Sequence, residues 1–326
     1  MVRLVSWLFG AMLCALAGPI FGQSPASRTF PLKGIRVIIP YPAGGGNDTF
    51  GRLLVNGLNE GLAPGSIAEN RGGAGAIVGT EIAARGNPDG HTLLIVSVPF
   101  VVMNGLYPHV KIDPIRDFTA VIHAGSAPSL LVVHPSAPYR TVKDLIDAAH
   151  AKPGALIYGS AGNGSSTHLF MELMKYLTKT SIVHVPYKGG APATAALLGG
   201  EVPVMFGNLA TVVPQVRANR MRALATTAPT RLSALPDVPT MSEAGIAGFR
   251  GNTFYGVVAP AHTPKNVIGI LNAEMNRILS VESARRHFQN QGIELVGGTP
   301  ESFAEFLRSE VALWNTLLKN VRITAD

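Results

Sequence analysis

Short apolar runs rich in β-branched residues alternate along the chain with segments of helical periodicity. Several of these runs are apolar almost throughout, which favours strands buried on both faces and hence an α/β fold. Leu169, Leu173 and Leu177 fall on one face of a predicted helix, and residues 300–319 predict a final helix with Thr299 as its N-cap. The predicted strands are 35–39, 92–96, 130–133, 156–158, 182–185, 202–206 and 222–226.

The chain has 326 residues, of which 47% are hydrophobic, and this is enough for two lobes with well-filled cores. We expect the first elements and the last helices to form one lobe and the middle of the chain to form the other. The predicted bounds are 30–124 together with 252–326 for lobe 1, and 125–251 for lobe 2. The backbone then crosses between the lobes twice, and such crossings make hinges.

The amino-terminal segment 1–22 has the features of a secretory signal peptide: Arg3 near the start, an uncharged apolar run over 4–16, and small residues beyond it. Three cleavage points stay open, after Ala17, Gly22 or Ala26. The single cysteine, Cys14, lies inside this segment, either as part of the apolar run or as a lipid-anchor site. The sequence therefore predicts export to the periplasm.

The formal net charge is +7, and the basic residues are scattered singly along the chain. Scattered positive charge favours general attraction of anions and does not form the basic stripe of a nucleic-acid-binding protein. The nine histidines include no H-E-x-x-H motif and no paired spacing with carboxylates. We therefore expect no metal, no cofactor and no nucleic-acid partner.

Two glycine-rich, lysine-free loops, 41–48 and 158–166, each lead from a strand-like segment into a helix-like one. Such turns present backbone N–H groups that hold an anion together with the helix dipole. A phosphate-binding P-loop is excluded, because Gly46 is followed by Asn47 and Asp48 instead of lysine and a hydroxyl residue. The alternative is that the glycines make tight turns and that Asn47 or Asp48 caps the next helix.

The second loop also resembles the nucleophile elbow of a serine hydrolase, with Ser160 or Ser165 as nucleophile and His168 as base. The motif lacks its first glycine, because Tyr158 occupies that position. Residues so close on one helical turn rarely converge on a substrate atom, and no acidic residue follows to orient His168. Catalysis is therefore the minor alternative.

The segments 40–48, 69–75, 88–94, 158–166, 184–189 and 235–240 together resemble the Bug (TctC-like) family of periplasmic solute receptors of tripartite tricarboxylate transporters. The resemblance runs from about residue 30 to the carboxyl terminus. It implies a two-lobed type II periplasmic binding protein, or Venus flytrap, in which each lobe is a mixed, mainly parallel sheet flanked by helices. It also implies a monomeric, non-enzymatic receptor that delivers a mono-, di- or tricarboxylate or an acidic amino acid to membrane transporter subunits. A sensor that reports to a membrane signalling protein would use the same lobes.

The resemblance also implies a ligand site between the first two glycine loops, in which backbone amides and water grip one carboxyl group. The expected site residues are Tyr41, Ala43, Gly44, Gly45, Asn47 and Asp48 on one side, Ser160, Ala161, Gly162, Gly164, Ser165 and Ser166 on the other, and Ser97, Val98, Tyr187, Gly207 and Asn208 at the distal end. The chain departs from the family pattern at Ala43, Ala196, Gly207 and Phe254. Loss of aspartate at positions 196 and 207, if either lines the pocket, favours a more apolar or more anionic ligand tail.

Overall fold

The computed structural model describes residues 30–290 and 292–320. The predicted signal peptide, with Cys14, lies outside the described residues. The strands are β1 (Arg36–Ile39), β2 (Ile67–Asn70), β3 (Thr92–Val96), β4 (Phe118–Ala127), β5 (Ser129–Val133), β6 (Ile157–Ser160), β7 (Val183–Pro186), β8 (Val204–Asn208), β9 (Arg222–Thr226), β10 (Thr253–Pro260) and β11 (Glu294–Leu295). The helices are α1 (Gly46–Glu60), α2 (Ile77–Ala84), α3 (Val98–Leu106), α4 (Val142–Ala151), α5 (Ser166–Thr178), α6 (Gly190–Leu198), α7 (Leu209–Arg217), α8 (Lys265–Ser280), α9 (Glu282–Asn290) and α10 (Pro300–Asn320).

The strands form two mixed sheets, as the resemblance implies. The first has the order β11-β4-β10-β3-β1-β2, and the second has the order β7-β6-β8-β5-β9. Parallel pairing joins β1 to β2 and β3, and β6 to β7 and β8. The strands β4, β5 and β10, which flank the two crossings of the chain, pair antiparallel with their neighbours. Each sheet therefore has a parallel half, where βα turns gather, and an antiparallel half near the crossings.

The chain leaves the first sheet at the end of β4 and enters the second with β5, and it returns between β9 and β10. The lobe bounds at 125 and 252 stay a prediction, and β4 continues in the first sheet to Ala127. Near the crossings, side chains of the two lobes pack against each other. Trp314 of α10 stacks on Phe170 of α5, with ring centroids 6.4 Å apart. No helix among the described residues is long and apolar enough to cross a membrane.

All seven strands predicted from the apolar runs are present, with bounds shifted by two residues at most. The final helix is confirmed, and the Thr299 hydroxyl accepts a hydrogen bond from the Ser302 amide at 3.2 Å, as an N-cap does. The predicted helix with Leu169, Leu173 and Leu177 is α5, in which Leu169 and Leu173 are buried. The strands β2, β4, β10 and β11 were not predicted from the sequence.

Candidate functional site

A cavity of about 340 Å³ lies where the loops of the two sheets meet. Its walls follow the carboxyl ends of β1, β3, β6 and β8, the usual position of ligand sites in open α/β sheets. It is lined by Pro40, Tyr41, Pro42, Gly46, Asn47, Gly73, Ala74, Gly75, Ala76, Ser97, Pro99, Ala161, Asn163, Gly164, Ser165, Ser166, Thr167, Asn208, Thr253 and Tyr255.

Five helices begin at this cavity: α1, α2 and α3 on the side of the first sheet, and α5 and α7 on the side of the second. Their N-cap residues are Gly45, Ala76, Ser97, Ser165 and Asn208. Each helix N-terminus carries a partial positive charge and amides that the helix itself does not satisfy. The cavity is therefore electropositive through backbone groups alone, which suits an anion.

The first glycine loop supplies open amides. Among the described residues, the N–H groups of Gly45, Gly46 and Asn47 have no hydrogen-bond acceptor. Gly46 and Asn47 line the cavity. A Cβ at position 46 would lie 2.7 Å from the Tyr255 hydroxyl oxygen, so a side chain there would force Tyr255 to shift. Burial raises the pKa of Tyr255 to about 12, so this hydroxyl keeps its proton at neutral pH.

Asp48 does not line the cavity and serves as a brace for the first loop. Its carboxylate accepts hydrogen bonds from the Gly44 amide (2.9 Å), Asn70 Nδ2 (2.9 Å) and Arg52 Nε (3.0 Å). Burial acts to raise the pKa of Asp48, but these hydrogen bonds outweigh it and hold the pKa below its ordinary value. The carboxylate is thus charged and paired, and it lies outside the cavity lining.

The expectation of bare amides along the second loop is wrong for four residues, because the loop folds back on its own side chains. The amides of Ala161, Gly162, Gly164 and Ser165 donate to Thr167 Oγ1 (2.9 Å), Ser160 Oγ (3.0 Å), His168 Nδ1 (3.0 Å) and the Gly162 carbonyl oxygen (3.1 Å). The Ser166 and Thr167 amides, in the first turn of α5, have no acceptor within the described chain. On this side of the cavity, the open amides therefore lie at the start of α5 and not in the glycine loop before it.

A third turn, Gly73 to Ala76, also lines the cavity, although the sequence did not place it at the site. Its four residues all have positive φ angles, of 135°, 46°, 61° and 79°. Two of them are alanines, for which such angles are uncommon and often mark a functional site. The Ala74 and Gly75 amides have no acceptor among the described residues, so this turn adds donors beside the first loop.

The structure brings eight of the expected site residues to the cavity: Tyr41, Asn47, Ser97, Ala161, Gly164, Ser165, Ser166 and Asn208. The other nine do not line it: Ala43, Gly44, Gly45, Asp48, Val98, Ser160, Gly162, Tyr187 and Gly207. Val98 is fully buried, and the Tyr187 hydroxyl donates to Glu201 at 3.3 Å. A Cβ at Gly207 would lie 2.3 Å from Val212 Cγ1. A ligand contact of these nine residues stays a prediction.

The remaining departures from the family pattern also lie away from the cavity lining. Ala196 and Phe254 are both buried in hydrophobic cores. Thr253 and Tyr255, the neighbours of Phe254, line the cavity and were missed, because their segment gave no strand signal. The alternating sides of a strand explain why Phe254 points away from its two neighbours.

A buried aromatic cluster contacts the second loop. The His168 and His184 rings stack with centroids 3.9 Å apart, and Tyr158 stacks on His184 at 4.8 Å. Burial lowers the pKa of each histidine to about 4, so both rings are neutral at neutral pH. Ser160 Oγ lies 2.6 Å from His184 Nε2, which resembles a catalytic pair. Ser160 is fully buried and does not line the cavity.

Residues 50–323 match the family model described as "Tripartite tricarboxylate transporter family receptor". The chain belongs to this family. BugT of Bordetella pertussis is 33% identical over 291 residues, covering 89% of each chain. A UPF0065 protein in the tcbD-tcbE intergenic region of a Pseudomonas species is 36% identical, covering 91% of this chain and 89% of its own.

Solved structures agree with this family assignment. Rpa4515 of R. palustris, solved with adipate, is 32% identical with a TM-score of 0.78, covering 89% of this chain and 98% of its own. MatC of Rhodopseudomonas palustris, solved with bound malate, is 29% identical with a TM-score of 0.77, covering 89% of this chain and 100% of its own. The periplasmic binding protein BugD is 27% identical with a TM-score of 0.77, covering 90% of this chain and 99% of its own. This member of the tripartite tricarboxylate transporter receptor family is thus a two-lobed solute-binding receptor and not a serine hydrolase.

Proposed function

We propose that the receptor binds a small organic acid in the cavity between its two sheets and holds one carboxylate group through backbone amides. The donors on one side are the Gly46 and Asn47 amides with those of Ala74 and Gly75. The donors on the other side are the Ser166 and Thr167 amides. The observation that carries this proposal is the set of open amides at helix N-termini around one cavity.

The energetics of such a grip are sufficient for a transport receptor. An affinity of about 1 μM corresponds to a binding free energy of about −8 kcal/mol. A hydrogen bond to a charged group contributes about 1.5–3 kcal/mol, before the cost of ordering the ligand and the loops. A few of the open amides acting together reach this value without a cationic side chain.

The receptor's role in the cell follows from the predicted signal peptide and from its family. We propose that the mature protein is periplasmic and delivers its ligand to the membrane subunits of a tripartite tricarboxylate transporter. The adipate and malate seen in two related structures support a carboxylate as ligand. They also fit a cavity of about 340 Å³, which is small for a ligand pocket.

Two measurements test the proposal. Mass spectrometry of small molecules released from the purified protein, followed by isothermal titration with mono-, di- and tricarboxylates and acidic amino acids, should identify an acid that binds at micromolar concentration. The proposal fails if no acid binds and none copurifies. Capture of membrane proteins from a ligand-loaded preparation should recover transporter subunits, whereas recovery of a signalling protein alone would favour the sensor role.

A further inference from the structure

Among the residues that the structure describes, the side chains that line the cavity include no carboxylate and no cation. Their polar groups are hydroxyls and amides, contributed by serine, threonine, tyrosine and asparagine. The electrostatic potential of the site is therefore set by five helix N-termini, all of the same positive sign. Within the described part of the chain, no cavity-lining side chain offers a counter-charge to a cationic group on the ligand.

The acidic residues closest to the lining residues along the chain are each in an ion pair; they are Asp48, Glu69, Glu81 and Glu172. Asp48 is bound by Arg52, Asn70 and the Gly44 amide, and its side chain is 7% exposed. Glu201 accepts a hydrogen bond from Tyr187, and neither residue lines the cavity. A ligand ammonium group that enters the cavity would lose its hydration water. In exchange it would contact uncharged oxygen atoms that lie beside the positive ends of helix dipoles.

We propose that the ligand is an organic acid without an ammonium group, such as an unsubstituted or hydroxy-substituted carboxylate, and that the receptor rejects amino acids of the same shape. This inference rests on the proposed function, and it narrows the range of ligands that the sequence left open. Removing an ammonium ion from water without a paired carboxylate carries a large penalty. A hydroxyl at the same position meets the cavity's hydroxyl and amide groups as donor or acceptor and pays no such penalty.

Matched ligand pairs test the inference by calorimetry on the mature receptor. Malate and aspartate differ in a hydroxyl against an ammonium group, and lactate and alanine form a shorter pair. For each pair in which the acid binds, we expect the acid to bind at least about 100-fold more tightly than the amino acid. Equal affinity within a pair would overturn the inference and leave the proposed function intact. A panel in which no acid binds would instead refute the proposed function.

An engineered counter-charge tests the electrostatic basis. Asn208 is an exposed N-cap that lines the cavity and whose side chain makes no capping hydrogen bond, and aspartate is an equally good N-cap. We expect Asn208→Asp to weaken malate binding and to narrow the ratio of malate to aspartate affinity at least about 10-fold. The control is Asn219→Asp, which makes the same charge change at an exposed position outside the cavity, with a positive φ that aspartate tolerates. An unchanged ratio in Asn208→Asp, or an equal change in both variants, would contradict the inference.

Discussion

Replacing Ser166 with proline should remove one ligand-binding amide from the site and leave the helix intact. Ser166 is the first residue of α5, and the N1 position of a helix is where proline is best tolerated. The preceding residue, Ser165, has φ −66° and ψ 156°, the extended conformation that a residue before proline prefers. The Ser166 amide has no acceptor within the described chain, so the substitution breaks no backbone hydrogen bond among these residues.

The expected loss is that of one hydrogen bond to a carboxylate. Such a bond contributes about 1.5–3 kcal/mol, which corresponds to an increase in Kd of about 10- to 150-fold. The variant's stability should change little, because Ser165 still caps the helix through the His168 amide at 3.3 Å. Any change in affinity then reports on the ligand contact and not on the fold.

Titration with the best-binding acid, together with thermal unfolding of the ligand-free protein, measures both quantities. The matched control is Ser166→Ala, which keeps the amide and removes only the hydroxyl, and its Kd should rise at most about 10-fold, as expected for a neutral hydrogen bond. The proposed grip is refuted if Ser166→Pro folds normally and binds the acid with unchanged affinity. It is also refuted if Ser166→Ala loses as much affinity as Ser166→Pro.

Three further variants, one of them a control, address the third turn and the buried histidines. Gly75→Ala should weaken acid binding, because position 75 has φ 61° and its Cβ would lie 2.8 Å from the Tyr107 hydroxyl oxygen. The control is Gly65→Ala, at a position with φ 85° and open space around it, which should lose about 1 kcal/mol of stability but no affinity. Equal losses of affinity in the two variants, measured by calorimetry, would argue against a role for the turn. His168 has a folded pKa of about 4 because of burial, so the unfolded chain binds the proton first and stability should fall as pH drops from about 6.5 towards 4. His168→Asn retains an acceptor for the Gly164 amide and should flatten this decline in stability, as measured by urea unfolding at a series of pH values. An unaltered pH dependence would show that the decline does not come from His168.

The sequence predicts the strands whose side chains are apolar on both faces, and it misses the others for physical reasons. The edge strand β2 reads Ile-Ala-Glu-Asn and leaves Ile67 exposed, so it has no apolar run. The strand β10 is buried throughout, but Gly256 interrupts its β-branched residues. A Cβ at Gly256 would lie 2.1 Å from the Phe303 ring of α10. The glycine therefore leaves room for α10, a helix that is distant along the chain. Such a requirement depends on tertiary packing and leaves no local pattern.

The parts of the site that depend on local backbone geometry were predictable from the sequence. The parts that depend on which loops the fold brings together were not. The glycines of 44–46 correctly indicated open amides at the start of α1. The second loop looks similar in sequence, yet its amides are satisfied by hydroxyl and imidazole groups of the following helix turn. The turn from Gly73 to Ala76 reaches the cavity only because β2 is the parallel neighbour of β1, a pairing that the sequence does not reveal.

An acidic residue within an anion-binding loop is the remaining apparent conflict, and the pairing of Asp48 resolves it. Repulsion of a ligand carboxylate by Asp48 would cancel much of the benefit of the α1 dipole. Its charge is instead compensated by Arg52, four residues on along the same helix, and by the Asn70 side chain from β2. The same carboxylate accepts a hydrogen bond from the Gly44 amide, which precedes the helix. This hydrogen bond fixes the loop in a conformation that leaves the Gly46 and Asn47 amides open. Asp48 therefore orients the open amides of the first loop without lining the cavity, which is a positioning role that its sequence neighbours alone did not indicate.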